Sequence, residues 1–124
     1  MSKSELELIP EQACIGAPLT REPLGAESAA ELAAVFKALS DPVRLRLLSS
    51  IASRAGQEAC VCDLSEGIDL SQPTISHHLK VLREAGLLDS ERRASWVYYR
   101  VVPDALQRLS DVLLVESGAA GVHA

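Results

Sequence analysis

The residues of this 124-residue chain with the most chemistry to offer are its three cysteines. Two stand together in Cys60-Val61-Cys62-Asp63, and Cys14 lies far upstream. As thiolates they are soft metal ligands and redox-active nucleophiles; as buried thiols they are small hydrophobic filler. Cysteines at i and i+2 converge only where the backbone is extended or bent, because within a regular helix they point to different faces. A second set lies in the stretch 70–86. Ser71, Gln72, Thr74, Ser76, His77 and Lys80 carry hydrogen-bonding groups on one side of a helix whose other side is Ile75, Leu79 and Leu82, at i, i+4 and i+7. A polar face with no negative charge, offered from the N-terminal end of a helix, suits the donor and acceptor pattern of a DNA major groove. His77 and His78 are neighbours about 100° apart on a helix, a poor geometry for one shared ion. The chain shows no Ser/His/Asp set, Gly-rich phosphate loop or carboxylate pair, so neither an enzyme nor a catalytic cofactor is expected.

Periodicity and capping residues define the elements that must position these groups. Leu32, Val35, Phe36 and Leu39 give a helix over 26–39. Asp41-Pro42 opens a second helix, which carries Leu45, Leu48, Ile51 and Ala52 and runs to about Ala55-Gly56. After a connection over 57–61, a short helix runs from Cys62 to Gly67 and leads, through a turn of three or four residues, into the helix capped by Ser71 and closed by Gly86. Two such helices make a helix-turn-helix. Residues 87–92 and 96–101 alternate as two strands of a β-hairpin wing. The connection Arg93-Ala94-Ser95 lacks the glycine of a tight turn, so a looser loop is expected, with Arg92 and Arg93 as phosphate or minor-groove contacts. Trp96, Tyr98 and Tyr99 are expected to pack wing against core, and His78 at the core edge. Pro103 starts a last helix. The expectation is a mainly α chain with a β-hairpin wing, a winged helix-turn-helix in the order α-α-α-α-β-β-α. An extended arm with Cys14 covers 1–25, the domain 26–117 and a tail 118–124. The first and last helices are more apolar than one small core needs, which points to a homodimer and a palindromic operator.

Composition agrees with a packed domain: 48% of residues are hydrophobic, with aromatics only 3%. No apolar run reaches the roughly 20 residues that span a bilayer, and no signal sequence opens the chain, so a cytoplasmic protein without membrane contact and with reduced thiols is expected. The net charge of −5 is unevenly spread. Residues 1–31 hold six glutamates against Lys3 and Arg21, whereas 71–100 hold Lys80, Arg83, Arg92, Arg93 and Arg100 against Glu84, Asp89 and Glu91. The field near the polar helix face is mildly positive.

Several ordered segments resemble one family. The run from Phe36 to Leu48 resembles the signature that opens the ArsR/SmtB family of metal-sensing repressors. Cys60-Val61-Cys62-Asp63-Leu64 resembles its metal-binding motif, Leu70 to Leu79 its recognition helix, and Trp96-Val97-Tyr98-Tyr99-Arg100 its second wing strand. The resemblance covers about residues 30–115 and is nearest to the arsenic-responsive subgroup. It implies a winged-helix homodimer that holds double-stranded operator DNA and leaves when an inducer binds. Where one subgroup has a third cysteine this chain has Ser65, and the last helix offers Asp104 and Asp111 but no histidine for a zinc site. The resemblance therefore implies a site of Cys60, Cys62 and, from the arm, Cys14. Three thiolates suit As(III) or Sb(III); Cd(II) or Pb(II), or thiol redox sensing, are the alternatives. The expected link from thiols to reading helix runs through Leu64, Ile68 and Leu70.

Overall fold

The computed structural model describes residues 16–118, so Cys14, most of the arm and the end of the tail lie outside the described residues. Helix α1 covers Ala26–Leu39 and α2 covers Pro42–Ala52. The start of α2 is set by Asp41, whose carboxylate accepts from the N–H groups of Val43 and Arg44 at 2.8 and 3.1 Å, with Pro42 where a missing N–H costs nothing. The helix ends three residues earlier than its apolar pattern suggests. A 3-10 turn follows at Ala55–Gln57, with Gly56 at φ 74, a conformation a side chain would resist.

The residues expected to be a plain connection contain a strand. β1, Glu58–Cys60, leads directly into α3, Val61–Ser65. A strand of three residues is too short to show a period of two, which is why its sequence gives no sign of it. Because α3 has only five residues, the turn to the next helix occupies residues 66–71, longer than expected, and buried Ile68 anchors it. Helix α4, Gln72–Glu84, starts where its cap predicts: the Ser71 hydroxyl accepts from the Thr74 N–H at 3.3 Å. The wing strands are β2, Leu88–Arg93, and β3, Trp96–Val101; helix α5 is Pro103–Ser117, closed by Gly118 at φ 78.

The sheet is antiparallel in the order β1-β3-β2, so the hairpin expected as two strands carries a third along its inner edge. The register pairs Glu58 with Arg100 and Cys60 with Tyr98 on one side of β3, and Leu88 with Val101 and Arg93 with Trp96 on the other. Ile75, Leu79 and Leu82 of α4 are fully buried against Leu47 and Ile51 of α2, Leu64 of α3, and Leu87, Leu88 and Val101 around the sheet. The hairpin turn is tight rather than loose: Arg93 pairs with Trp96, and Ala94 sits at φ 56. Two-residue turns match the strand twist, and that demand overrides the missing glycine.

A side chain in the left-handed region costs about 1–2 kcal/mol, against an entropic cost of roughly 0.5–1 kcal/mol for glycine. Ala94→Gly is therefore expected to stabilise the fold by about 0.5–1 kcal/mol, read as a higher urea midpoint with an unchanged m-value.

Candidate functional site

Cys60 occupies two roles at once. As the last residue of β1 it is extended, at φ −88 and ψ 167, and as the N-cap of α3 its sulfur accepts from the Asp63 N–H at 3.3 Å. The Asp63 carboxylate returns the favour, accepting from the Cys60 N–H at 3.2 Å. This is a capping box with sulfur in place of a hydroxyl. Cys62 lies in the first turn of α3, so the bend from strand to helix brings both sulfurs together, as the i, i+2 spacing requires. The structure joins them as a disulfide, with S–S 2.07 Å and Cα–Cα 5.3 Å, where reduced thiols were expected. The Cα separation lies in the range that bridging permits. Donor atoms of Cys60, Cys62 and Asp63 lie within 4.8 Å of one another, with Cys60 buried and the others half-buried. Reduced, the same geometry offers two thiolates at a helix N-terminus, whose dipole favours the anions, with a carboxylate beside them. The donor set thus fits a thiophilic ion in part, with two sulfurs and an oxygen from the described residues. Asp63 was not singled out from the sequence. The Cys-x-x-Asp spacing before an apolar residue, a variant of the capping box, is the signal that marks it.

On α4, Gln72, Thr74, His77 and Lys80 are exposed, Ser76 is half-buried, and Ser71 is exposed while capping the helix through Thr74. His77 and His78 diverge, with ring planes tilted by 56°. His78 is half-buried as expected, and its Nδ1 lies 3.2 Å from Arg44 Nη1. Arg44 also donates to the Ala38 carbonyl, so it pins α1, α2 and α4 together. The backbone N–H of Arg44 holds the Asp41 carboxyl below its usual range, and burial opposes this.

The wing departs from expectation at Arg93. Arg92 is exposed, with no ion pair among the described residues. Arg93 donates twice to Glu58 at 2.8 Å, once to Glu91 at 3.0 Å, and lies 4.5 Å from the Tyr98 ring centroid. Arg100 completes the network, donating to Glu91 at 2.8 Å and Glu58 at 3.4 Å. The Arg93 guanidinium, expected as a phosphate or minor-groove contact, is held here by the carboxylates of Glu58 and Glu91. The partner Glu58 comes from the unforeseen strand β1. Trp96 is also corrected: it is 53% exposed, while Tyr99 packs on the core.

A small α-helical domain with a helix-turn-helix followed by a β-hairpin defines the class: a winged helix-turn-helix. Residues 41–90 match the bacterial regulatory proteins of the arsR family. The chain is 49% identical over 79 residues to the arsenic resistance transcriptional regulator ArsR1 of Pseudomonas putida, covering 64% of this chain but only 60% of that protein. It is 44% identical over 81 residues to ArsR2 of the same organism, covering 65% of this chain and 69% of that one. Among solved structures, the AntR antimony-specific transcriptional repressor superposes with a TM-score of 0.62 at 30% identity, covering 86% of this chain and 96% of the other. The chain belongs to the arsR family, whose members are transcriptional regulators rather than enzymes. No helix among the described residues is long and apolar enough to cross a membrane.

Hydrogen bonds from Arg93 hold the carboxyls of Glu58 and Glu91 below their ordinary value near 4.5. A lowered folded pKa contributes stability that is fully present above the unfolded value and lost as pH falls through the folded one. Urea midpoints measured from pH 6 down to about pH 3 should fall less steeply in Glu58→Gln than in the wild type.

Proposed function

We propose that this chain is a homodimeric transcriptional repressor. It holds palindromic operator DNA with α4 and leaves it when a trivalent metalloid, As(III) or Sb(III), is captured by Cys60, Cys62 and Cys14. The convergence of the Cys60 and Cys62 sulfurs at the start of α3, the first helix of the helix-turn-helix, carries this reading. The similarity to ArsR1 and to an antimony-specific repressor supports it. Each metalloid–sulfur bond replaces a hydroxyl of the free hydrated ion and releases one water, the thiol supplying the proton. Ser71, Gln72, Thr74, Ser76, His77 and Lys80 face the major groove, with Arg92 on the backbone beside it.

The exposed apolar residues support the dimer. Phe36 on α1 and Leu113, Leu114 and Val115 on α5 are each 39–56% exposed, on the two helices whose apolar excess suggested pairing. The arm is carried alongside: Arg21 pairs with Glu116 of α5 at 3.0 Å, and Leu24 is exposed near Val112 and Val115.

A second reading rests on the disulfide. Two thiols that close to a disulfide give up two electrons and two protons, which a peroxide accepts to yield two waters from hydrogen peroxide or a water and an alcohol from an organic one. A repressor released by that step would use the same pair without Cys14. Cd(II) and Pb(II) remain the ionic alternatives for the same sulfurs.

The test measures binding to the DNA upstream of the protein's own gene by fluorescence anisotropy, with arsenite, antimonite, Cd(II), Pb(II) and peroxide compared. Metalloid release with inert peroxide is expected, and a coupling on the order of five- to a hundredfold in affinity. Cys60→Ser and Cys62→Ser should keep operator binding and lose release, whereas arsenite release retained in both places the inducer site elsewhere. Cys14→Ser separates a three-sulfur site from a two-sulfur one. Arg92→Ala should weaken operator and unrelated duplex alike and reduce the salt slope of log K by about 0.9, the signature of one lost phosphate contact.

A further inference from the structure

Paired residues in a sheet share a face, and side chains alternate between faces along each strand. The register therefore sets Glu58 and Cys60 of β1, Trp96, Tyr98 and Arg100 of β3, and Glu91 and Arg93 of β2 on one side. On that side lies the densest polar network of the described residues, and it closes a ring. Cys60 is paired with Tyr98, Tyr98 lies under the Arg93 guanidinium, and Arg93 is gripped at both nitrogens by Glu58, two residues before Cys60.

We propose that Glu58 is a positioning residue that couples the thiol pair to the wing, so that the chemical state of Cys60 and Cys62 sets where the wing tip stands against DNA. This rests on the reading above that the chain binds DNA and responds at its thiols. Strand β1 is only three residues long and is held at both ends, by the α3 cap at Cys60 and by the two-pronged arginine contact at Glu58. Ala59 between them is buried and paired with Tyr99, so the strand has no slack to absorb a shift at its end. A change at the sulfurs moves β1 as a unit, and Glu58 carries Arg93, the last residue before the wing turn, with it. The two-pronged geometry matters because a bidentate guanidinium–carboxylate contact fixes direction as well as distance. The route expected from the sequence is less continuous: Leu64 and Ile68 are buried, but Leu70 is 38% exposed.

The molecule contains its own reporter. Trp96 is the single tryptophan, stands opposite Arg93 at the wing tip and is half exposed. The experiment follows Trp96 emission and its quenching by acrylamide in the full-length reduced protein. Arsenite is added in one arm and the disulfide is closed with diamide in another, with operator affinity measured in parallel. Wild type should show a change in Trp96 accessibility on thiol capture. Glu58→Gln should capture arsenite with wild-type stoichiometry, yet lose most of the Trp96 response and shrink the change in operator affinity to under about twofold, well below ordinary coupling. Arg93→Lys, which keeps the charge but not the fork, should show the same loss, and it carries the test if Glu58→Gln fails to fold. A wild-type Trp96 that ignores thiol capture, or a Glu58→Gln protein that responds as wild type does, overturns the proposal while leaving the repressor reading intact. Wild-type protein that captures arsenite and stays on the operator instead overturns the repressor's inducer; the Trp96 response to thiol closure, and its loss in Glu58→Gln, still decide for or against the role of Glu58.

Discussion

The complete burial of Ile75, Leu79 and Leu82 is the constraint on which the rest of the structure depends. Each such side chain contributes roughly 1.5–3 kcal/mol when taken from water, so three on one stripe fix the rotation of α4 about its axis far more firmly than any polar contact on its other side. That single fact decides which residues are outward. His77 and Lys80 are exposed because the stripe opposite them fills the space between α2, α3 and the sheet. It also limits how a signal can act. A helix held this way cannot turn in place without opening the core; it moves as a body with α2 and α3, or it stays and something beside it moves.

The joint between those options is Cys60. Its backbone belongs to the sheet, through the pairing with Tyr98, and its sulfur belongs to α3, through the cap on Asp63. Placing a reactive atom as the capping acceptor ties its chemistry to the geometry of the helix start. A sulfur engaged in another bond is a different acceptor for the Asp63 N–H, so the cap and the strand end feel any change of state together. Serine at this position would serve as a cap at least as well. The cap alone therefore does not explain cysteine here, and the second sulfur at Cys62 does.

Much of this was legible in the sequence, and the reasons are local. Asp41-Pro42 and Ser71 with Pro73 mark helix starts because capping is a short-range interaction between residues two or three apart. The stripes of α1 and α4 are long enough for their period to register. What escaped was non-local or too short. The strand Glu58–Cys60 has no period to read, and its ion pairs join residues 35 and 42 positions apart. Without β1, Arg93 reads as a free cation at a wing tip and Trp96 as a core residue. The tight turn at Ala94 escaped for a different reason: strand pairing imposed a backbone that the turn's own residues disfavour. In the site, the polar face of α4 and the cysteine pair were visible as residue types, whereas the bridge between Cys60 and Cys62 and the place of Asp63 required the bend between β1 and α3.

The electrostatics sharpen what kind of DNA binder this chain can be. Its net charge is −5, and several of its cations are engaged within the fold. Arg93 and Arg100 are held by Glu58 and Glu91, and Arg44 lies inside the helix junction. Lys80, Arg83 and Arg92 remain near the reading helix, set against Glu84. Non-specific affinity scales with the number of phosphates neutralised, so a surface with this few open cations holds unrelated DNA weakly. On the proposed reading, affinity for a true site would then come from base-edge hydrogen bonds on α4 and from repetition. Two copies joined through α1 and α5 would present the same few contacts twice, and the second set engages at the high effective concentration set by the first. Weak half-sites make the complex depend on their relative placement. In the proposed dimer a small displacement of a wing or a reading helix would lose the advantage of the second half-site, so a modest event at one sulfur pair would be enough to release the whole.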